Sequence, residues 1–152
     1  MPRKKPPRPK PDMLIAKIEA VEQSYYISEN AGHERPVGDE AILDIVGRIE
    51  QISPRLKQHL DRQIDISLVC ERSFSRDERT PTTNNPFLML VNLRKGGCSL
   101  MAYLPADAFW ALPQMIATGA THVDVRFEPP HHGSATLLSL YFASAQRLAD
   151  MP

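Results

Sequence analysis

The sequence predicts an α+β fold in which N-terminal helices precede a five-stranded, mainly antiparallel sheet of order βββαββ, with the helices on one face. Apolar residues recur three and four positions apart between residues 14 and 60, and they alternate with polar residues from Ile64 onward. A helical pattern over residues 104–119 then separates three strands from two more. Strand runs interrupted by a helix are typical of α+β domains.

Two or three helical segments are expected before the first strand. One amphipathic stripe is spaced by four, three and four positions and consists of Leu14, Ile18, Val21 and Tyr25. A second helix begins near Asp39, whose carboxylate can cap free backbone amides; its apolar positions are Ile42, Leu43, Ile45, Val46, Ile49 and Ile52. Ser53 followed by Pro54 is a typical helix start, and turn-forming residues at 28–38 separate the first two helices.

Five strands, two tight turns and two helical segments complete the pattern. The strands are IDISLVC (64–70), FLMLVNL (87–93), CSLMAYL (98–104), THVDVRFE (121–128) and SATLLSLYFA (134–143). RKGG predicts a tight turn between the second and third strands, and PPHHG predicts one between the last two. Gly119 ends the helix of residues 104–119, which Pro113 should kink or divide, and a last helical turn follows residue 143.

The first twelve residues form a basic, proline-rich tail. They hold five prolines, one carboxylate and five cations, which are Arg3, Lys4, Lys5, Arg8 and Lys10. Five minus one gives the tail a charge of +4, so residues 13–152 carry −4 in a chain of zero net charge. Because proline lacks an amide donor and favours extended backbone, residues 1–12 are expected to be disordered and residues 13–152 to form a single domain.

Composition and motifs argue against several classes of protein. No window reaches transmembrane length, and charges interrupt the apolar stretch after the tail, so a cytoplasmic, non-membrane protein is expected. Cys70 and Cys98 lie in strand-like runs and are interpreted as core residues of a reducing compartment. A GxSxG elbow and a phosphate-binding glycine loop are absent from the sequence, so neither an enzyme nor a bound cofactor is expected.

The hairpin of residues 122–132 is the most chemically suggestive stretch. His122, Asp124, Arg126 and Glu128 share one face of a strand because side chains alternate with period two. Histidine beside a carboxylate suits base catalysis and arginine can hold an anion, but a solvated outer sheet face explains the pattern better. His131 and His132 could bind a metal with His122, yet adjacent side chains diverge, so a solvated turn without metal is favoured.

The strands carry more apolar side chains than a one-sided sheet requires. Met101, Tyr103 and Trp110, together with Leu88, Leu90 and Leu138, predict a surface for a protein partner. The favoured hypothesis is therefore a small non-enzymatic adaptor or chaperone-like protein that self-associates as a homodimer. Arg94 and Lys95 at a hairpin tip would add to the contacts of the basic tail.

The order of elements resembles that of the small type III secretion chaperones. This resemblance implies a dimer that binds extended segments of partner proteins.

Two other functions remain open from the residues alone. One is a nucleic-acid accessory protein that uses the tail cations with Arg94 and Lys95, although five tail cations give only weak, salt-sensitive attraction. The other is a small enzyme or metal protein centred on residues 122–132.

Overall fold

Seven strands form a closed barrel in a computed structural model that describes residues 3–29, 37–71 and 88–151. The strands are β1 (Asp12–Glu29), β2 (Val37–Ile52), β3 (Gln63–Glu71), β4 (Leu88–Arg94), β5 (Gly97–Tyr103), β6 (His122–Phe127) and β7 (Ser134–Ala143). A 3₁₀ helix (Pro54–His59) lies between β2 and β3. The α-helices are α1 (Ala106–Ala117), between β5 and β6, and α2 (Ala145–Ala149), after β7.

The strands follow one another around the barrel in the order β1, β2, β3, β5, β4, β7 and β6. β3 and β5 are parallel, and every other neighbouring pair is antiparallel. Pairing of β6 with β1, from Asp12 opposite Phe127 to Lys17 opposite His122, closes the barrel. Such closure removes sheet edges over the paired length of the strands.

The predicted α+β class is wrong, because the first two predicted helices are the strands β1 and β2. In β2 the buried side chains alternate with exposed ones: Leu43 and Ile45 point into the barrel, and Asp44 points outward. The three- and four-residue spacing arises because apolar residues occupy both faces of this strand. Its many isoleucines, branched at Cβ, pack better on a pleated sheet than in a helix.

β1 is likewise a strand where the spacing of apolar residues predicted a helix. The stripe predicted to lie on one helical face is split, since Leu14 is buried in the barrel while Val21 and Tyr25 are exposed. Ile15 points to the opposite side of β1 and packs beneath Leu148 of α2. The resemblance to type III secretion chaperones depended on N-terminal helices, so it does not hold for this fold.

The later elements agree with the sequence-based expectations. All five predicted strands from Ile64 onward are present, the RKGG turn joins β4 to β5, and a short helix follows β7. Gly119 follows α1 with a φ of +133°, and Pro113 lies inside α1 without dividing it. Most of the turn predicted at residues 28–38 and of the polar connection predicted at residues 71–86 lies outside the described residues.

The barrel has two distinct ends. Phe109 and Leu112 of α1 belong to the main core cluster, so α1 closes the end where β3 and β5 finish and β6 begins. We call this the helix end. At the other end are the start of β1, the 3₁₀ helix and the β4–β5 and β6–β7 turns, and we call residues 3–12, 53–62, 94–97 and 128–133 the base. Residues 3–11 are exposed and lie outside helices and strands.

No helix among the described residues combines the length and the apolar character that crossing a membrane requires.

Candidate functional site

The base is held together by one arginine that bridges two loops. The guanidinium of Arg62 donates hydrogen bonds to the carbonyl oxygens of Arg94 (2.7 Å) and Lys95 (3.0 Å). It also donates to Nδ1 of His59, 3.0 Å away, in the 3₁₀ helix. Arg62 therefore fixes the β4–β5 tip against the 3₁₀ helix, so that the backbone of Arg94 and Lys95 is held in place.

His59 and Cys98 lie beneath this bridge. The Cys98 sulfur is 3.6 Å from Nδ1 of His59, and both side chains are buried. Burial, and then the positive charge of Arg62, lower the pKa of His59. Burial raises the pKa of the Cys98 thiol. Because a reactive cysteine needs exposure and a lowered pKa, Cys98 acts here as a core residue, as does the buried Cys70.

The β6–β7 turn packs directly on Arg94. The amide of Leu93 donates a 2.7 Å hydrogen bond to the carbonyl of Gly133, and the guanidinium of Arg94 donates to Oγ of Ser134 at 3.1 Å. Gly133 has a φ of +80°, and a Cβ there would lie 3.1 Å from both the Leu93 oxygen and Cγ of Arg94. Only glycine suits this position, which ties the PPHHG sequence to the neighbouring hairpin.

The two histidines of this turn present a pair of exposed rings and directly precede Gly133 and Ser134, which contact Arg94. The ring centroids of His131 and His132 are 4.2 Å apart, with an interplanar angle of 64°. His122 lies at the far end of β6, roughly 16 Å away along a strand of this length. The alternative metal set of His122, His131 and His132 is therefore not assembled, and the described part of the chain contains no other metal-binding cluster.

The tail begins at a fixed point of the base. Asp12 is buried, and its carboxylate accepts two hydrogen bonds from the guanidinium of Arg55 in the 3₁₀ helix. The amide of Met13 donates a 2.9 Å hydrogen bond to Oγ of Ser53. These contacts make Asp12 a structural residue of β1, although it was grouped with the tail in the sequence. Residues 3–11 therefore leave the barrel beside the 3₁₀ helix.

Positive charge accumulates at this end of the molecule. The base carries ten cations and three carboxylates, a net charge of +7 that leaves −7 for the rest of the neutral chain. The cations are the five of the tail with Arg55, Lys57, Arg62, Arg94 and Lys95, and the carboxylates are Asp12, Asp61 and Glu128. The structure thus brings the predicted tail contacts Arg3, Lys4, Lys5, Arg8 and Lys10 to the same end as the predicted pair Arg94 and Lys95.

The polar face of β6 has a different role. His122 and Asp124 are only 8% and 4% exposed, because α2 covers this part of the barrel wall beside a pocket of about 360 Å³. Nε2 of His122 is 3.1 Å from a Glu50 carboxylate oxygen, and Arg126 donates two hydrogen bonds, of 2.7 and 2.9 Å, to Asp124. On the face expected to be solvated, the buried His122 and Asp124 are therefore each paired with a partly exposed charged side chain, while Glu128 is exposed.

The predicted partner-binding residues do not share one element. Met101 and Tyr103 lie on the outer wall of β5, where Met101 is exposed and Tyr103 is half-buried. Trp110 is exposed on α1, with its ring edge-on to that of Phe109 at 5.1 Å. The sequence did not indicate that His131 and His132 of the β6–β7 turn lie at the same end as the cations of the base. Their position there depends on pairing of β4 with β7, which no local pattern predicts.

Comparison with family models, curated proteins and solved structures finds no match to this chain.

Proposed function

We propose that the protein binds single-stranded nucleic acid through the base. The observation that carries this proposal is that the barrel holds a basic tail, a basic hairpin tip and two exposed aromatic rings at one end. Nucleic-acid phosphates release condensed counterions when such cations replace them. Unpaired bases stack on planar side chains, histidine and arginine included.

Arg94 is central to the proposed interface. Its backbone is fixed by Arg62, its side chain contacts the histidine turn, and it remains exposed at the surface. A strand of nucleic acid crossing this end would meet a cation and two rings in fixed relative positions. Lys57 and Lys95 are exposed on either side of the Arg62 bridge and extend the positive surface.

A nucleic acid suits this surface better than an anionic membrane does. Residues 3–11 contain only arginine, lysine and proline, so the tail has no apolar side chain to insert into lipid. Membrane-surface segments combine charge with a buried apolar face. Leu60 is the exposed large apolar side chain within the described base, and one such residue adds little membrane affinity.

The test is titration of a short labelled oligothymidylate at several salt concentrations. Deletion of residues 1–11 should reduce the slope of log K against log salt by about 3.5, which is five cations at about 0.7 each for single strands. A double variant His131→Ala and His132→Ala should keep the salt slope but lose about 1–3 kcal/mol of binding free energy for each base that no longer stacks on a ring. Gln58→Ala in the 3₁₀ helix, an exposed residue of the base, serves as the matched surface variant.

Two results would overturn the proposal. One is equal affinity of the full chain and the deletion variant for oligothymidylate at every salt concentration. The other is binding to vesicles of anionic lipid that exceeds binding to oligothymidylate and is unchanged by the histidine substitutions. In that second case the base would be a membrane-contact surface.

We propose as a second function the protein-binding module that the composition indicates, as an adaptor or chaperone-like homodimer. The supporting observation is that four large apolar side chains are exposed on the wall of β5 and β7 and on α1: Met101, Leu138, Trp110 and Met115. Surfaces enriched in tryptophan and methionine are typical of protein contacts. Light scattering tests the homodimer: a molar mass near twice 17.1 kDa that falls in a Trp110→Ala, Met101→Ala variant supports it, and a monomeric full-length chain contradicts it.

A further inference from the structure

A cavity of about 360 Å³ lies between the barrel wall and helix α2. Ala145, Leu148 and Ala149 line it from α2, at positions i, i+3 and i+4, which share one face of a helix. Two of these three residues are alanines, so this face of α2 contributes one large side chain, Leu148, which packs with Ile15 of β1. The small side chains of α2 account for the cavity, whose volume falls within the range of about 300–1,000 Å³ typical of small-molecule sites.

Two hydrogen-bonded pairs line the cavity, and each joins a buried side chain to a more exposed one. Asp124 accepts hydrogen bonds from Nε and Nη2 of Arg126, and Nε2 of His122 lies 3.1 Å from Oε2 of Glu50. The side chains of Asp124 and His122 are 6% and 10% exposed, against 43% for Arg126 and 44% for Glu50. The buried members thus hold a guanidinium and a carboxylate in place while leaving both accessible to solvent.

Each of the two exposed groups keeps hydrogen-bonding capacity for a ligand. Asp124 engages Nε and Nη2 of Arg126, and Nη1 makes no hydrogen bond to another described residue. Oε1 of Glu50 likewise has no hydrogen-bond partner among the described residues. The cavity therefore presents one cationic donor and one carboxylate acceptor.

The separation of these two groups suits a short zwitterion. Asp124 and His122 are two residues apart on one face of β6, which places them about 7 Å apart along the strand, and their partners Arg126 and Glu50 meet them there. The ammonium and carboxylate groups of an α-amino acid are about 3 Å apart, and a hydrogen bond of about 3 Å at each end gives a reach of about 9 Å. One such molecule can contact both groups at once.

We propose that this cavity binds a free α-amino acid with an apolar side chain. The carboxylate of the ligand would accept hydrogen bonds from Nη1 of Arg126, and its ammonium group would donate to Oε1 of Glu50. The ligand side chain would lie on the apolar part of the lining, formed by Met13, Ile15 and Leu148. The described residues that line the cavity all lie outside the base, so this proposal does not depend on nucleic-acid binding.

The test is calorimetric titration of the full chain with L-leucine. Two analogues of the same apolar shape separate the two polar contacts: 4-methylpentanoate lacks the ammonium group, and 3-methylbutylamine lacks the carboxylate. Each analogue should bind at least about tenfold more weakly than leucine, because it loses one charge-assisted hydrogen bond. This comparison uses the unaltered protein, so it decides the proposal even where a variant is destabilised.

Three variants locate binding to the cavity. Glu50→Gln and Arg126→Gln should each weaken leucine binding by about tenfold or more, since a glutamine amide can still contact the buried partner but carries no charge. Ala149→Leu should weaken binding by filling the cavity. The matched controls are Glu128→Gln, just after β6, and Gln146→Leu on α2; both residues are exposed and outside the lining, so their substitution should change affinity by less than about twofold. Urea unfolding checks that each variant is folded.

Weaker leucine binding in all three cavity variants, with both controls unchanged, supports the proposal. Absence of leucine binding at millimolar concentration overturns it. Equal affinity for leucine and 4-methylpentanoate would assign the cavity to a simple apolar carboxylate and overturn it as well, as would leucine binding that survives Ala149→Leu. Deletion of residues 1–11 should leave leucine affinity unchanged, so failure of nucleic-acid binding and failure of this proposal are distinguishable.

Discussion

The two ends of the barrel differ in both charge and construction. At the base, side chains bond to the backbone of other loops: Arg62 holds two carbonyls of the β4–β5 tip, and Gly133 packs against Arg94. Near the helix end, residues 20–29 of β1 pair with β2, and Val21 and Ile27 are 41% and 58% exposed. The base presents positive side chains on fixed backbone, whereas residues 20–29 carry two carboxylates and no cation.

This difference shows how a chain of zero net charge can offer two electrostatically opposite surfaces. The base concentrates a charge of +7 at one end of the barrel, and the other residues of the chain together carry −7. Such a distribution attracts polyanions to the base.

The largest effect is expected from Phe109→Ala at the helix end. Phe109 is completely buried and joins α1 to the main core, and removal of such a ring costs about 3–5 kcal/mol of stability. The free energy of unfolding, measured by urea titration, should fall by that amount. Trp110→Ala is the control, because Trp110 is more than half exposed and should cost far less. Comparable losses in the two variants would mean that α1 does not close the barrel.

A smaller effect is expected from Arg62→Met at the base. The variant loses two hydrogen bonds to carbonyls, which water can partly replace, and one to Nδ1 of His59, for about 1–2 kcal/mol of stability. Oligothymidylate binding should weaken more than in Lys57→Met, which removes one charge without a described side-chain hydrogen bond. The same titration at two salt concentrations compares them. If the two variants bind equally, fixation of the β4–β5 tip by Arg62 does not contribute to the interface.

Local patterns predicted the second half of the chain well and the first half poorly. From Ile64 onward, strict alternation and glycine-containing turns leave little choice between helix and strand. Between residues 14 and 52, apolar side chains on both strand faces reproduce helical spacing, because β2 contacts the core on one side and is half-buried on the other. Pairing with other strands then decides between helix and strand. The parallel pairing of β3 with β5 joins residues far apart in the chain, so no local stretch of sequence predicts it.

The candidate site, too, could be predicted from the sequence only in part. The charge of the tail and the cations of the RKGG turn were visible in the sequence, but their meeting at one end required the barrel. The polar face of β6 was read as solvated because Val123, Val125 and Phe127 already supplied a core face. Helix α2 buries the other face as well, since Leu148 packs beside Ile15. Alternation therefore indicates which residues share a face, but not what covers it.

The boundary of the tail gives a sharper test of the base. Deletion of residues 1–11 should leave the melting temperature unchanged, because these residues are exposed and outside regular structure. Deletion of residues 1–12 also removes Asp12, the buried partner of Arg55. It should lower the melting temperature, though only modestly, because Arg55 is largely exposed and water screens the pair. Thermal unfolding of the two deletions compares them, and identical curves would contradict a structural role for Asp12.

The smallest effect concerns the response of the base to acid. Burial and the charge of Arg62 lower the pKa of His59 below its ordinary 6.5 in the folded protein. The unfolded chain therefore binds a proton at this site at a higher pH than the folded chain does. The contribution of His59 to stability is complete above pH 6.5 and is lost as the pH falls from there toward the lowered value.

His59→Gln should accordingly flatten the stability curve below pH 6.5, since glutamine does not titrate and can still accept a hydrogen bond from Arg62. Urea unfolding of both proteins over this range measures the difference. Gln58→Ala, an exposed and non-titrating variant at the same end, is the control. If His59→Gln follows the wild-type curve, protonation of the buried His59 beneath Arg62 does not govern the response of the protein to acid.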